Sequence, residues 1–289
     1  MPKENTHLWF AQRLMTRLQN GDLPHPSANL VLNQPRMFSL GSIIPDAFFY
    51  HYRARGRRMA KVLHGSDPVM RAEAFSFMVV QAGEDASGRD QAFVLGYLSH
   101  VALDATFHPV IHALSGRRPG RPSSGVTRSL HRLLETGLDR LVNRTSRYPD
   151  IIAPFLADRA EVLHILAGHA GLRLGDVRGA LSNQLLVSRL AQGRFAHKLL
   201  SFFHWPPALD LSELRNLCYA QLDEEDGFDP DKAAAAPTVW TAFHKVNWDR
   251  LFERAENLAL KLFCLCSEHW TKRLDFAELR QAFPQKACD

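Results

Sequence analysis

The sequence predicts an all-α protein, a compact multi-helix domain with additional C-terminal helices. Apolar residues recur with helical spacing along most of the chain. No two neighbouring segments show the period-two alternation and turn that a β-hairpin requires. The 46% hydrophobic and 22% charged composition is ordinary for a folded protein and excludes general disorder. We therefore expect one domain over residues 1–289.

The N-terminal elements follow from apolar spacing and from proline positions. The first predicted helix spans His7–Leu18, with Asn5 or Thr6 available as its N-cap. Residues 20–45 contain four prolines and predict a long irregular connection. The next predicted helix lies at about 68–84 and starts with a proline, which the first helical turn tolerates.

A long helix is predicted next, from Asp90 to Ser115, and the glycine- and proline-rich segment 116–125 is predicted to end it. Helical spacing then predicts helices at 127–144, 150–169, 173–203, 211–224, 238–270 and 274–283.

Charge and cysteine content restrict the chemistry. The formal net charge of +5 indicates a mild preference for anionic partners, with basic residues crowded at 53–61 and 117–128. The four cysteines include no CxxC pair, which argues against a disulfide scaffold or a cysteine zinc site. The chain has 14 histidines, so any metal would be held by imidazole and carboxylate groups.

The N-terminal segment MPKENTHLWF lacks the apolar region and cleavage site of a secretion signal. No stretch reaches the roughly 18 apolar residues that a membrane span needs. The sequence therefore predicts a cytoplasmic protein without a transmembrane segment.

The predicted long helix carries a polar stripe. His100, Asp104, His108 and His112 are spaced four apart and share one helix face, while apolar residues occupy the other faces. A buried carboxylate usually becomes neutral, pairs with a cation or binds a metal. The HxxxDxxxH spacing favours a metal site over a simple Asp–His pair in a helical core. Pro109 predicts a kink or break that would direct His108 toward a second metal position.

Further candidate ligands lie on other predicted elements. His131 and Glu135 are again four apart, although an exposed surface pair would show the same spacing. Asp46 occurs in GSIIPD, His64 in VLHGSD and His7 at the start of the first predicted helix.

These motifs, in the order GSIIPD, a histidine 18 residues later, GYLSHVALDATFHPVIH and HRLLE, resemble the zinc-dependent phospholipase C family. The all-helical fold of that family is shared with single-strand-specific zinc nucleases. The resemblance covers about residues 5–145 and implies that this half binds the metals, with residues 146–289 forming a C-terminal helical half.

The resemblance implies two zinc ions and a third zinc position. The first zinc would be held by Asp46, His64, His100 and Asp104, with Asp104 bridging. The second would be held by His108, His131 and Glu135. His7 would contribute to the third position, to which secreted members also supply ligands from the mature N-terminal residue. This chain begins six residues before His7, so we expect that ligand to be missing or replaced.

The implied activity is phosphoester hydrolysis, in which zinc-activated water attacks phosphorus in line and Asp46 orients or deprotonates that water. Two zinc ions against three carboxylates leave a formal +1 and three leave +3, and either would attract a phosphate. The implied substrate is a phospholipid head group or a nucleotide, and the implied partner includes a peripheral membrane contact.

Three alternatives remain open from the residues alone. The same metal site could serve a nuclease or nucleotide phosphodiesterase, which the basic loops with nearby aromatic residues favour. The chain could instead be a zinc-stabilised helical binding protein without turnover. Imidazole and carboxylate ligands would also accept manganese or iron. The aromatic residues of segment 48–52 fit either a substrate groove or the edge of the core.

Overall fold

The computed structural model describes residues 4–21, 26–65, 74, 79, 87–117, 124–142, 166, 172–192, 198, 218 and 236–282. These residues form ten α-helices, one short 3₁₀ helix at Phe48–Tyr50 and no strand, which confirms the all-α prediction. The helices are α1 (Glu4–Asn20), α2 (Ala28–Asn33), α3 (Pro35–Ala47), α4 (Ala54–Leu63), α5 (Gly88–Ser115), α6 (Gly125–Val142), α7 (Leu174–Gln192), α8 (Ala236–His244), α9 (Trp248–Trp270) and α10 (Phe276–Ala282).

The long helix α5 lies at the centre and packs most extensively against α3 and α9, with α1, α2, α6 and α8 also against it. Its N-terminus is capped by Ser87, whose hydroxyl oxygen accepts the Asp90 backbone N–H at 3.3 Å. Its C-terminus is capped by Gly116, which adopts a left-handed φ of 73°. These caps place the helix within two residues of the predicted bounds.

Two glycines let α3 and α5 approach closely. A Cβ atom on Gly41 would overlap the carbonyl oxygen of Phe93, and one on Gly96 would overlap that of Phe38. Small residues at a crossing allow helix backbones to come into contact. The close crossing fixes the spacing between the α3 and α5 side chains that form the site described below.

The C-terminal helices cover α5 with aromatic residues. Phe252 of α9 packs against Phe107 of α5, with ring centroids 4.7 Å apart. Phe243 lies 4.8 Å from Trp240 and from Trp248. All of these side chains are buried or half-buried, and such pairs stabilise a core beyond their buried area. That one domain spans residues 1–289 stays a prediction.

The N-terminus of α1 is anchored to α6 by a buried carboxylate. Asp139 Oδ1 accepts the Thr6 backbone N–H at 2.7 Å and also the Thr6 hydroxyl. Both side chains are fully buried, and Asp139 therefore acts as a cap that comes from another helix. The contact also fixes the backbone position of the adjacent residue, His7.

We expect Asp139→Ala to lower the free energy of unfolding by about 2–3 kcal/mol, because it leaves buried donors of Thr6 without their charged acceptor. Urea denaturation would measure the change. Asp249→Ala, at an exposed position in the first turn of α9, is the matched control and should cost less than about 1 kcal/mol. Equal effects of the two substitutions would contradict the anchoring role.

Three sequence predictions about helix boundaries are wrong. The predicted irregular connection at 20–45 contains α2 and α3, because Pro35 occupies the tolerated first turn of α3 and Pro45 lies near its end. The predicted helix 238–270 is two helices, since Asn247 starts α9 by accepting the Arg250 backbone N–H at 3.0 Å. Of the predicted kink or break at His108, the break does not occur, because α5 packs along its length against α3 and α9 and runs unbroken through Pro109.

Other predicted helices lie largely or wholly outside the described residues. These are the helices at 68–84, 150–169 and 211–224 and the end of the helix at 173–203, of which 174–192 is described as α7. None of the described helices combines the length and the apolar character needed to cross a membrane.

Candidate metal centre

All eight residues predicted as ligands meet where α1, α3, α4, α5 and α6 converge. Their ligating atoms form three groups, each within 4.8 Å: His7 with Asp46 and His100, His64 with His100 and Asp104, and His108 with His131 and Glu135. Seven of the eight are buried and His131 is half-buried. Their assignment as ligands stays a prediction, but the structure places every one at a single centre.

Two imidazoles, His64 and His100, face each other through their Nε2 atoms. His64 Nδ1 donates to the carbonyl oxygen of Ala60 at 2.6 Å, and His100 Nδ1 donates to that of Ser42 at 2.8 Å. Because a carbonyl oxygen can only accept, the Nδ1 atoms carry the protons. The two Nε2 atoms are therefore the ring atoms left to bind another group, and they lie 3.2 Å apart, a separation that suits two ligands of one metal ion.

Two carboxylates surround the same point. Asp46 Oδ1 lies 3.1 Å from His64 Nε2, and Asp104 Oδ2 lies 3.3 Å from His100 Nε2. His7 Nε2 lies 3.5 Å from Asp104 Oδ1 and 3.8 Å from Asp46 Oδ2, and its ring stacks on His100 with centroids 3.9 Å apart. His7 therefore lies beside these four residues and forms a group of its own with Asp46 and His100, so its assignment to a third metal position stays a prediction.

These separations fit a tetrahedral metal site. Zinc binds nitrogen and oxygen at about 2.0–2.2 Å, which separates neighbouring tetrahedral ligand atoms by about 3.3 Å. Among the described residues, both ring nitrogens of His7 and both carboxylate oxygens of Asp104 are buried without a hydrogen-bond partner. Buried polar atoms are normally satisfied, so these atoms have the character of ligands.

The second group is built by α5 and α6. His131 Nε2 lies 2.7 Å from Glu135 Oε1, one helical turn away. The His108 and His131 rings are 6.0 Å apart, and both His108 ring nitrogens are buried without a hydrogen-bond partner among the described residues. His108 Nε2 also lies 3.8 Å from Asp104 Oδ1, so Asp104 lies between the two groups, and its role as a bridging ligand stays a prediction.

The electrostatics favour neutral imidazoles at three positions. Burial lowers the pKa of His7, and it lowers the pKa values of His108 and His131 far more. Since metals bind only the neutral ring, these histidines are held in the ligating form.

The two central carboxylates stay ionised despite burial. Burial acts to raise the pKa of Asp46, but the hydrogen bond with His64 and the nearby imidazoles lower it below its ordinary value. Burial opposes ionisation of Asp104 in the same way, but His108 and His100 hold its pKa well below the ordinary range. In return, Asp104 raises the pKa of His100 against the effect of burial.

One neighbouring contact lay beyond the sequence analysis. Arg117 Nη1 donates to His112 Nε2 at 2.9 Å, and the His112 ring lies 5.2 Å from His108 and 5.4 Å from His131. The spacing of His112 from His108 indicated a shared face. The position of Arg117 depends on the turn after α5, and the spacing of residues in the sequence does not predict that turn. The pair places a cationic group beside the second ligand group.

The aromatic segment after Asp46 has both of the environments that the sequence left open. Phe48 is buried, and the Tyr50 hydroxyl donates to Glu4 Oε1 at 3.0 Å within the core. Phe49 and Tyr52 are exposed, at 39% and 67%. The Phe49 ring lies 4.9 Å from that of His64 and thus borders the metal centre.

The comparisons with known proteins agree with this geometry. A family model described as zinc dependent phospholipase C matches residues 6–169, more than half of the chain, and this segment includes all eight candidate ligands. Neither the search of curated proteins nor that of solved structures found a match.

Proposed function

Since the chain belongs to the zinc-dependent phospholipase C family, we propose that it hydrolyses the phosphodiester of a phospholipid, with water as the nucleophile. Phosphorus would lose its bond to the glycerol oxygen and gain one to the water oxygen. The products would be a diacylglycerol and a phosphorylated head group.

The observation that carries this proposal is the facing pair His64 and His100. Both rings are oriented by backbone carbonyls, and their Nε2 atoms lie 3.2 Å apart beside two ionised carboxylates. A hydrogen bond from Nδ1 to a backbone carbonyl fixes the tautomer of a metal-binding histidine. Imidazoles oriented in this way beside two carboxylates suit metal ligation, which the proposed hydrolysis needs.

Residues of the chain would also activate the water and attract the phosphate. Zinc at these residues would polarise a phosphoryl oxygen and lower the pKa of bound water to near 7. Asp46 remains ionised and is 5% exposed, so its carboxylate can orient a water and accept its proton. Arg117, exposed beside the second ligand group, adds positive charge where an anionic phosphate would enter.

We expect the zinc-loaded chain to hydrolyse p-nitrophenyl phosphorylcholine, and we expect a chelator to abolish the reaction until zinc is restored. Attack of water at phosphorus would release p-nitrophenolate directly, with phosphorylcholine as the other product, so the absorbance of p-nitrophenolate measures the rate. Asp46→Asn should lower turnover by at least about 100-fold, because the amide cannot accept the proton.

Two results would contradict the proposal. Full zinc content without turnover of this ester or of phosphatidylcholine vesicles would identify a zinc-stabilised binding protein. Hydrolysis of single-stranded DNA without hydrolysis of either lipid substrate would identify a nuclease on the same metal site.

A further inference from the structure

Helix α4 presents a cationic face to solvent. Ala54, Arg57, Arg58 and Lys61 are exposed and follow the i, i+3, i+4, i+7 spacing of a single helix face. The opposite face buries Met59, Ala60, Val62 and Leu63 in the core. The core contacts therefore fix the orientation of this helix, with three cations directed outward.

Two exposed aromatic residues and a fourth cation extend this face. Tyr52 and Phe49 immediately precede α4 and are 67% and 39% exposed. The Arg53 side chain is 53% exposed, and its guanidinium lies 5.1 Å from the centroid of the Tyr52 ring. Aromatic rings beside basic residues are characteristic of surfaces that lie at a membrane–water boundary.

The segment that forms this face carries basic residues alone among its charged side chains. The segment 49–65 contains no acidic residue. Among the described residues, Asp176 of α7 contacts this segment, but it is buried, and its Oδ1 atom lies 2.5 Å from Arg55 Nη2, 3.4 Å from His51 Nε2 and 4.0 Å from Arg53 Nη1. Asp176 thus holds the segment against α7 and pairs with Arg55, while the side chains of Arg57 and Arg58 are exposed to solvent.

The cationic face is joined directly to the metal centre. His64 caps the C-terminus of α4, and the exposed Phe49 ring lies 4.9 Å from the His64 ring. A surface that contacts Phe49 and α4 would therefore lie next to the candidate ligands.

We propose that the exposed face of α4, together with Phe49, Tyr52 and Arg53, docks the protein on an anionic lipid surface. The inference rests on the proposed function, because a phospholipid substrate lies in a membrane. The cations would bind anionic head groups, and the two aromatic rings would enter the boundary region. The docked face would present lipid phosphates to the adjacent metal centre.

A lipid surface fits this face better than a nucleic-acid strand. Base stacking needs an open ring face, but the Tyr52 ring already stacks with His51 at 5.2 Å and carries the Arg53 guanidinium. Insertion at a membrane boundary needs only the ring edge and the hydroxyl, which a 67% exposed tyrosine offers.

The test is sedimentation of the zinc-loaded full chain with vesicles of phosphatidylcholine alone or mixed in equal parts with phosphatidylserine. We expect binding to the mixed vesicles, and we expect R57Q/R58Q to weaken it by roughly 25-fold, at about five-fold for each basic residue removed. R250Q/R254Q, which removes two exposed arginines one turn apart on α9, is the matched control and should bind like the wild type. Zinc content and thermal unfolding would show that both variants fold.

Vesicle binding needs no turnover, whereas turnover of soluble p-nitrophenyl phosphorylcholine by the wild type tests the proposed function without vesicles. The docking proposal is overturned if the wild type does not sediment with the mixed vesicles, or if both double variants lose vesicle binding equally. It is also overturned if R57Q/R58Q loses binding to a single-stranded oligonucleotide but keeps its affinity for vesicles.

Discussion

Replacing Asp104 by Asn is expected to release the metal that the two ligand groups would hold and to abolish nearly all of the proposed activity. Its Oδ1 and Oδ2 atoms lie within 3.3–3.8 Å of the Nε2 atoms of His7, His100 and His108, so one carboxylate serves both ligand groups. The amide keeps the side-chain volume but loses the charge. Loss of a second-shell partner lowers metal affinity by about 10–100-fold, and loss of a bridging ligand should exceed that range.

Metal analysis and thermal unfolding would measure the effect together. Zinc should raise the melting temperature of the wild type, because a ligand that binds only the folded state stabilises it by mass action. In Asp104→Asn this increase should vanish along with the zinc content. Asp90→Asn is the matched control, since Asp90 lies in the first turn of the same helix and accepts a hydrogen bond from the Ser87 hydroxyl.

The control variant should retain zinc, the zinc-dependent increase in melting temperature and turnover. Asp104→Asn with wild-type zinc content would refute the bridging role of Asp104. Loss of zinc in both variants would mean that metal binding depends on the general stability of α5 and not on this carboxylate.

Local spacing explains which parts of the site could be predicted from the sequence. His100, Asp104 and His108 share a face because helical register depends only on residue number, and the same holds for His131 and Glu135. Asp46 and His64 approach this face only through tertiary packing. Their assignment to the site came from the resemblance to a known family. Neither helical spacing nor the family resemblance indicates the Arg117–His112 contact or the Thr6–Asp139 anchor, so these could not be predicted from the sequence.

The prolines of segment 20–45 show the limit of local rules for the fold. From local sequence alone, several prolines predict an irregular connection. A proline at the first turn or near the end of a helix nevertheless removes few backbone hydrogen bonds. Burial of nearly all of α3 against α5 outweighs that cost. Gly41 and Gly96 permit the contact, and no sequence pattern pairs two glycines that are 55 positions apart.

The close crossing of α3 and α5 leads to the prediction with the largest effect on stability. Gly96→Ala is expected to lower the free energy of unfolding by about 3 kcal/mol, the upper range for overpacking a core. The new methyl group would overlap the Phe38 carbonyl oxygen, and backbone cannot move aside as a flexible side chain can. The two helices must separate.

Gly179→Ala is the control, and we expect it to change the free energy of unfolding in the opposite direction. Gly179 lies within α7, and a Cβ atom there meets nothing within 4 Å. The same substitution should therefore stabilise the protein by about 0.5–1 kcal/mol, because alanine loses less conformational entropy than glycine in a helix. Urea denaturation of the two variants would distinguish a clash at the crossing from a general intolerance of alanine.

Separation of α3 and α5 should also weaken the metal site. The Ser42 carbonyl of α3 orients His100 of α5 at 2.8 Å, and Asp46 belongs to the same helix as Ser42. Gly96→Ala should therefore lower zinc affinity although residue 96 contributes no ligand atom, whereas Gly179→Ala should leave it unchanged. A Gly96→Ala protein with wild-type stability and zinc affinity would show that the glycine crossing does not set the spacing of the site.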